Sequence, residues 1–227
     1  MINKTLNFFI ENVLLKIQNK RITKILPESL DTVVDIGAHI GELYKCLVDC
    51  NTDFDKYFMF EPNKNSYKQL CKIEDKRISK FNFAISSENS TKEFFLNPLE
   101  MTSSFSEINK SLFKFKLKKF LFKGSPDIKD KELVETKTLD NFEIEYAKNN
   151  LLKIDTEGHE LDVLKGSLNH LEKKTFKFIV IEIQKPNTYK NYDPDLIYDL
   201  LKSHSYDVVK EFKVPFFGFS DVVFIKN

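Results

Sequence analysis

Two short segments hold the ionisable residues best spaced for chemistry. In the first, Asp35-Ile36-Gly37-Ala38-His39-Ile40-Gly41 follows an apolar run and leads into a helical pattern, the context in which a Gly-containing turn lets a ligand approach the backbone. The chain has only 6 glycines, yet two of them fall here. A strand-to-helix turn that merely needs small residues would read the same way. His39 and Glu42 stand where a dinucleotide fingerprint wants its second and third glycines. The acid at the strand tip repels phosphate and suits a ligand with a cationic ammonium or sulfonium group. Glu61 ends another apolar run at the spacing of a carboxylate that accepts bonds from ribose hydroxyls, and Pro62 then turns the chain; a solvated loop carboxylate is the alternative. Ala84 and Ile85, closing a third run, would offer small side chains and backbone to an adenine edge.

The second segment is Leu151-Leu152-Lys153-Ile154-Asp155-Thr156-Glu157-Gly158-His159-Glu160. An apolar strand delivers ionisable groups to its carboxyl end, the side on which open α/β sheets bind ligands. Asp155 and Glu157 would share a face if the strand persisted, and His159 would begin the next helix. His159, with an ordinary pKa near 6.5, or a carboxylate from Asp155 or Glu157, could take a proton from a substrate. The plain alternative is an Asp that caps a helix beside a solvated Glu and His. Cys46, Cys50 and Cys71 form no C-x-x-C pair and have no histidines at zinc spacing, so neither a structural zinc nor a disulfide framework is expected and reduced cytosolic thiols are.

Positioning these residues requires strands at Thr32–Ile36, Tyr57–Phe60, Phe81–Ile85, Leu151–Ile154 and Phe178–Ile183. Helices are expected near Glu42–Asp49, Ser66–Ile73 and Leu161–Leu171. The alternation predicts βαβ units and a mainly parallel sheet. A helix at Pro194–Ser203 and two runs, Tyr206–Phe212 and Asp221–Ile225, predict a closing antiparallel hairpin. The chain reads as one domain over residues 1–227. Residues 1–29 form a helical extension, starting with an amphipathic Met1–Lys20, and the interval 86–150 is longer than a crossover needs. That interval, with short strands at Glu93–Asn97 and Val134–Leu139, is expected to cover the site and bind the acceptor, Ser103 and Ser104 supplying hydroxyls.

Lys110–Lys123 interleaves six lysines with Phe and Leu. It reads as a lysine-faced helix packed on the domain, or as a patch for an anionic acceptor, lipid or nucleic acid. The net charge of +1 gives no global field for nucleic acid or an anionic membrane. No run is long and apolar enough for stable membrane insertion.

Together the segments resemble the FkbM methyltransferase family: V-V-D-I-G-A-H-I-G at 33–41, F-E-P-N at 60–63, A-I-S at 84–86, K-T-L-D at 137–140, the L-L-K-I-D-T-E-G-H-E-L-D-V-L-K-G block at 151–166 and I-V-I-E-I at 179–183. His39 departs from the family, which often carries a small polar residue there. The resemblance implies a Rossmann-like class I methyltransferase fold of the α/β class and S-adenosylmethionine as cofactor. It also implies cofactor roles for Asp35, Gly37, Gly41 and Glu61, Asp155 beside the sulfonium and the acceptor, and O-methylation of a sugar, glycoconjugate or other small-molecule hydroxyl. A nucleotide-dependent oxidoreductase and a non-catalytic cofactor-binding module are the competing readings.

Overall fold

A computed structural model describes residues 15–96, 103–106, 130–145, 147–213 and 218–227. The first 14 residues of the expected N-terminal helix and the whole Lys110–Lys123 stretch lie outside them. Seven strands form one sheet: β1 (Ser29–Ile36), β2 (Asp53–Phe60), β3 (Ile78–Phe81), β7 (Leu151–Ile154), β8 (Phe178–Gln184), β9 (Tyr206–Lys213) and β10 (Phe219–Lys226). Their order is β3-β2-β1-β7-β8-β10-β9. The first five in that order run parallel, and β10 is antiparallel to both neighbours, as the hairpin signal predicts.

Both faces are covered, which is why these strands read as continuous apolar runs. One face packs Val34, Ile36, Leu152, Ile154, Ile179 and Ile181 against Leu164, Leu171 and Ile197 of α4 (Glu160–Lys165), α5 (Leu168–Glu172) and α6 (Asp195–Ser203). The other packs Val33, Tyr57, Leu151 and Val180 against Ile22, Leu43, Leu47 and Leu70 of α1 (Leu15–Thr23), α2 (Glu42–Asp49) and α3 (Lys64–Leu70).

Three elements differ from expectation. The third strand stops at Phe81; Ala84–Ile85 is instead β4 of a second sheet, ordered β4-β6-β5 with β5 at Ser90–Leu96 and β6 at Asp130–Lys137. The break falls at Asn82, whose amide leaves the strand direction to donate to the carbonyls of Glu61 and Pro62. The helix expected over Leu161–Leu171 is two helices. At Gly166 the chain runs against the Ser86 carbonyl, 1.9 Å from where a Cβ would stand. The interval 86–150 contributes β5 and β6 of the small sheet, and both are longer than the two short strands expected.

Candidate active site

Because β1, β2, β7 and β8 are parallel and in register, their carboxyl ends form one rim. Asp35, Glu61, Asp155 and Glu157 gather there, with Glu182 and Gln184 from β8. The turn after β1 is held in shape by left-handed Gly37 (φ 81°), His39 (φ 47°) and Gly41 (φ 85°). Gly37 is required by packing: a Cβ would lie 1.8 Å from the Asp155 carbonyl oxygen. Each N–H of the turn already has a partner. Gly37 and Ala38 donate to the Phe60 carbonyl, and Gly41 to that of Ala38. His39 donates to Glu61 Oε2 at 2.8 Å and Ile40 to Glu42 Oε2 at 3.2 Å. A helix-start turn binds phosphate through unspent N–H groups, and these are spent.

Carboxylates dominate instead. Asp35 is 3% exposed and accepts from the Tyr57 hydroxyl at 2.9 Å. Burial pushes it up to about 7 against the opposing pull of Lys153 and the Tyr57 bond. Glu61 is 6% exposed and is also raised to about 7 by burial, although N–H groups of Asn63 and His39 donate to it. Pro62 is half-buried behind it. Burial opposes charge on His39, but its 2.7 Å contact with Glu42, backed by Glu61 and Asp155, raises its pKa overall. Ala38 is a core residue, and Ala84 and Ile85 are buried in packing at 5% and 1% exposure.

The Asp155–Glu160 loop differs from a continued strand. β7 ends at Ile154, and Glu157 (φ 52°) and Gly158 (φ 95°) are left-handed, so strand alternation does not set their directions. The turn nonetheless folds Glu157 back until Asp155, Glu157 and Glu182 each place one oxygen within 4.8 Å of the others. Protein donors meet this trio: Lys153 Nζ lies 3.1 Å from Asp155 Oδ2, Gln184 Nε2 reaches Glu157 and Glu182 at 3.2 and 2.8 Å, and the Tyr189 hydroxyl donates to Glu157. His159 stands at the start of α4 as expected, but its side chain makes no capping bond and its ring is buried. Nε2 is 3.0 Å from Ser86 Oγ, Nδ1 is 3.3 Å from Asp162 and Phe105 lies against it. Burial, only partly offset by Asp162, pushes the imidazole down to about 4.

The interval 86–150 does reach this loop. Ser104 donates to the Glu157 carbonyl at 2.6 Å and Ser106 to that of Gly158 at 2.7 Å. Ser104 is 1% exposed, so its hydroxyl tethers the loop and is not presented to a ligand. The sequence reading missed Tyr57, Glu182, Gln184 and Tyr189 at the rim and gave Lys153 no role. Lys153 and Glu182 had a signal, a lone charge inside an apolar strand; Tyr189 and Gln184 had none.

The strand order and the acidic rim define the Rossmann-like fold of the class I methyltransferases. The Methyltransferase FkbM domain matches residues 35–208, and the chain belongs to the FkbM methyltransferase family. It is 30% identical over 162 residues to the hexuronic acid methyltransferase AglP of Haloferax volcanii, covering 69% of this chain and 57% of that protein. Among solved structures, methyltransferase FkbM from Methylobacillus flagellatus superimposes with a TM-score of 0.59 at 16% identity, over 89% of this chain and 45% of that one. Magnesium protoporphyrin IX methyltransferase from Synechocystis, solved with S-adenosylmethionine bound, gives 0.51 at 10% identity, over 97% and 85%. The chain thus spans less than two thirds of the length of AglP and of the Methylobacillus protein. No described helix is long and apolar enough to cross a membrane.

Proposed function

We propose that this chain transfers a methyl group from S-adenosylmethionine to a hydroxyl oxygen of a sugar, glycoconjugate or other small molecule. One observation carries the reading: at the rim the turn's N–H groups are all engaged while carboxylates converge, an environment for a cation and not for a pyrophosphate. Family membership supplies the reaction, and the hexuronic acid named for the Haloferax relative supports a sugar acceptor.

S-adenosylmethionine brings a methyl carbon already activated by its positive sulfur. The protein's part is to hold that charge, orient the acceptor and receive its proton. Asp35 and Asp155 offset the cation, and Glu61 takes ribose hydroxyls on the lone pairs left by His39 and Asn63. The backbone of Gly37–Gly41, with Pro62, Ala84 and Ile85, shapes the remaining wall. Asp155, half-exposed where β7 ends, receives the acceptor's proton, with Glu157 held beside it by Tyr189. His159, neutral and enclosed, supports the loop from below. The acceptor lies on the 86–150 interval, which is fastened to the loop by Ser104 and Ser106. An open groove of about 640 Å³, lined by Asn89, Ser90, Glu135, Thr136 and Asn141 among others, lies in the same interval and includes none of the rim residues. Its partner is a small molecule or glycan and not nucleic acid, and the free thiols of Cys46, Cys50 and Cys71 support a cytoplasmic setting.

Calorimetric titration with S-adenosylhomocysteine and NAD, followed by transfer of radiolabelled methyl to a panel of neutral and acidic sugars, tests the reading. Binding of S-adenosylhomocysteine without NAD and a labelled sugar are expected. NAD binding alone would return the oxidoreductase reading, and cofactor binding with no labelled product across the panel would return the non-catalytic module. In the same assay His159→Gln separates the proton acceptors. A rate within a few-fold of wild type is expected, whereas a loss of ~10²-fold or more would move the proton to His159.

A further inference from the structure

Lys153 is a charge in the middle of a strand whose side chains are all buried, and it is itself 4% exposed. In the sheet register its neighbours are Asp35 on β1 and Val180 on β8. Glu182 stands two residues beyond Val180, opposite Asp221 of β10. Strand alternation therefore places Asp35, Lys153, Glu182 and Asp221 on one face of the sheet, at its rim end. From there the ammonium reaches Asp155 Oδ2 at 3.1 Å and the Ile154 carbonyl at 3.4 Å.

Burying an ammonium is costly unless opposite charge compensates it. Here burial is outweighed by Asp155, Asp221, Glu182 and Asp35, and the lysine pKa is raised. Among the described residues, the other ionisable groups around these include Tyr57 of β2, which bonds Asp35, Glu42 of α2, His39 of the β1 turn, Glu157 of the following loop, Glu160 at the start of α4, and Tyr189 and Tyr192 from the segment after β8. Burial, with Asp155, Glu157 and Asp221, pushes Glu182 well above the usual carboxylate range. One buried cation thus serves a surplus of acids, and its contact with the rim is through Asp155.

We propose that Lys153 is a positioning residue that tunes ligand charge preference: from inside the sheet it fixes the Asp155 carboxylate at the rim and sustains negative charge on Asp35, so that the site prefers the sulfonium of S-adenosylmethionine over the neutral thioether of S-adenosylhomocysteine. That preference releases product in favour of fresh cofactor. The inference rests on the cofactor assignment above.

The test is calorimetry of both ligands between pH 6 and 9 on wild type and Lys153→Met. In the variant, affinity for S-adenosylmethionine at pH 7 is expected to fall by about tenfold or more and that for S-adenosylhomocysteine by less than about threefold, a change in preference worth roughly half a pKa unit or more. The pH at which S-adenosylmethionine affinity levels off should also move upward, because Asp35 loses a compensating charge. An equal loss for both ligands with an unmoved pH dependence would reduce Lys153 to a structural role. Should Lys153→Met fail to fold, Lys153→Met/Glu182→Gln removes the ammonium together with an acid buried beside it and should show the same loss of preference; an unaltered preference there overturns the idea. A wild-type protein that binds the two ligands equally overturns it without any variant. A wild type that binds neither refutes the cofactor assignment instead.

Discussion

On the proposed cofactor placement, Asp35 and Glu61 link burial to ligand binding. Each carboxyl is pushed up to about 7 in the free protein. A cation beside Asp35, and hydroxyl donors on Glu61, favour the ionised forms, so binding lowers both pKa values and releases protons below that pH. Affinity for S-adenosylmethionine is therefore expected to rise by up to about tenfold per ionising group between pH 6 and 7 and to level off above. Calorimetry in buffers of different ionisation enthalpy will show the proton release; a pH-independent affinity would place the ligand elsewhere. Glu61→Gln should weaken S-adenosylhomocysteine binding by ~1.5–3 kcal/mol, the worth of hydrogen bonds to a charged acceptor, read against a melting temperature that reports its bonds to His39 and Asn63. His159 has the opposite sign in folding. Its pKa is pushed down to about 4, so the unfolded chain binds a proton that the folded one refuses. The folded state loses stability as pH falls from 6.5 toward 4, on the order of 2–3 kcal/mol from this group. Urea titrations of His159→Gln should show a flatter acid limb than wild type.

At the scale of elements, two glycines fix how β1 and α4 meet their neighbours. Gly166→Ala has an ordinary backbone angle but sets a Cβ 1.9 Å from the Ser86 carbonyl, and overpacking of that kind costs ~1–3 kcal/mol. Gly37→Ala adds to a similar collision with Asp155 a left-handed backbone at φ 81°, a further ~1–2 kcal/mol. Both variants should unfold at lower urea. Only Gly37→Ala should also weaken S-adenosylhomocysteine binding, because it displaces the end of β7 and with it Asp155. Equal loss of ligand affinity in both would mean that the site is not built on the β1 and β7 ends.

Across the whole molecule, the net charge of +1 conceals a local imbalance, with acidic side chains drawn from β1, β2, β7 and β8 to one rim. A ligand seated there touches four strands and binds only the folded chain. Saturation at 100 times its dissociation constant should then stabilise the protein by about 2.7 kcal/mol, visible as a raised melting temperature with S-adenosylhomocysteine and none with NAD. A matching shift with NAD would contradict the account of the spent N–H groups.

Alternation and spacing were enough to read the parallel core, the closing hairpin and the two segments that meet at the rim, because both-face burial leaves uninterrupted apolar runs and strand ends deliver whatever polar residue follows them. The rim positions of Asp35, Glu61 and Asp155 were legible this way. Contacts between distant segments could not. The helix breaks at Gly166, where the chain abuts Ser86, 80 positions earlier, and the third strand stops where Asn82 turns back to Glu61. His159 looked like a base from its position after a strand, yet Ser86 and Phe105 enclose it. Lys153 looked incidental until β1, β8 and β10 set three acids around it. Burial and charge neighbourhood, which decide what an ionisable side chain can do, arise from packing across the sheet, and local patterning carries no record of that.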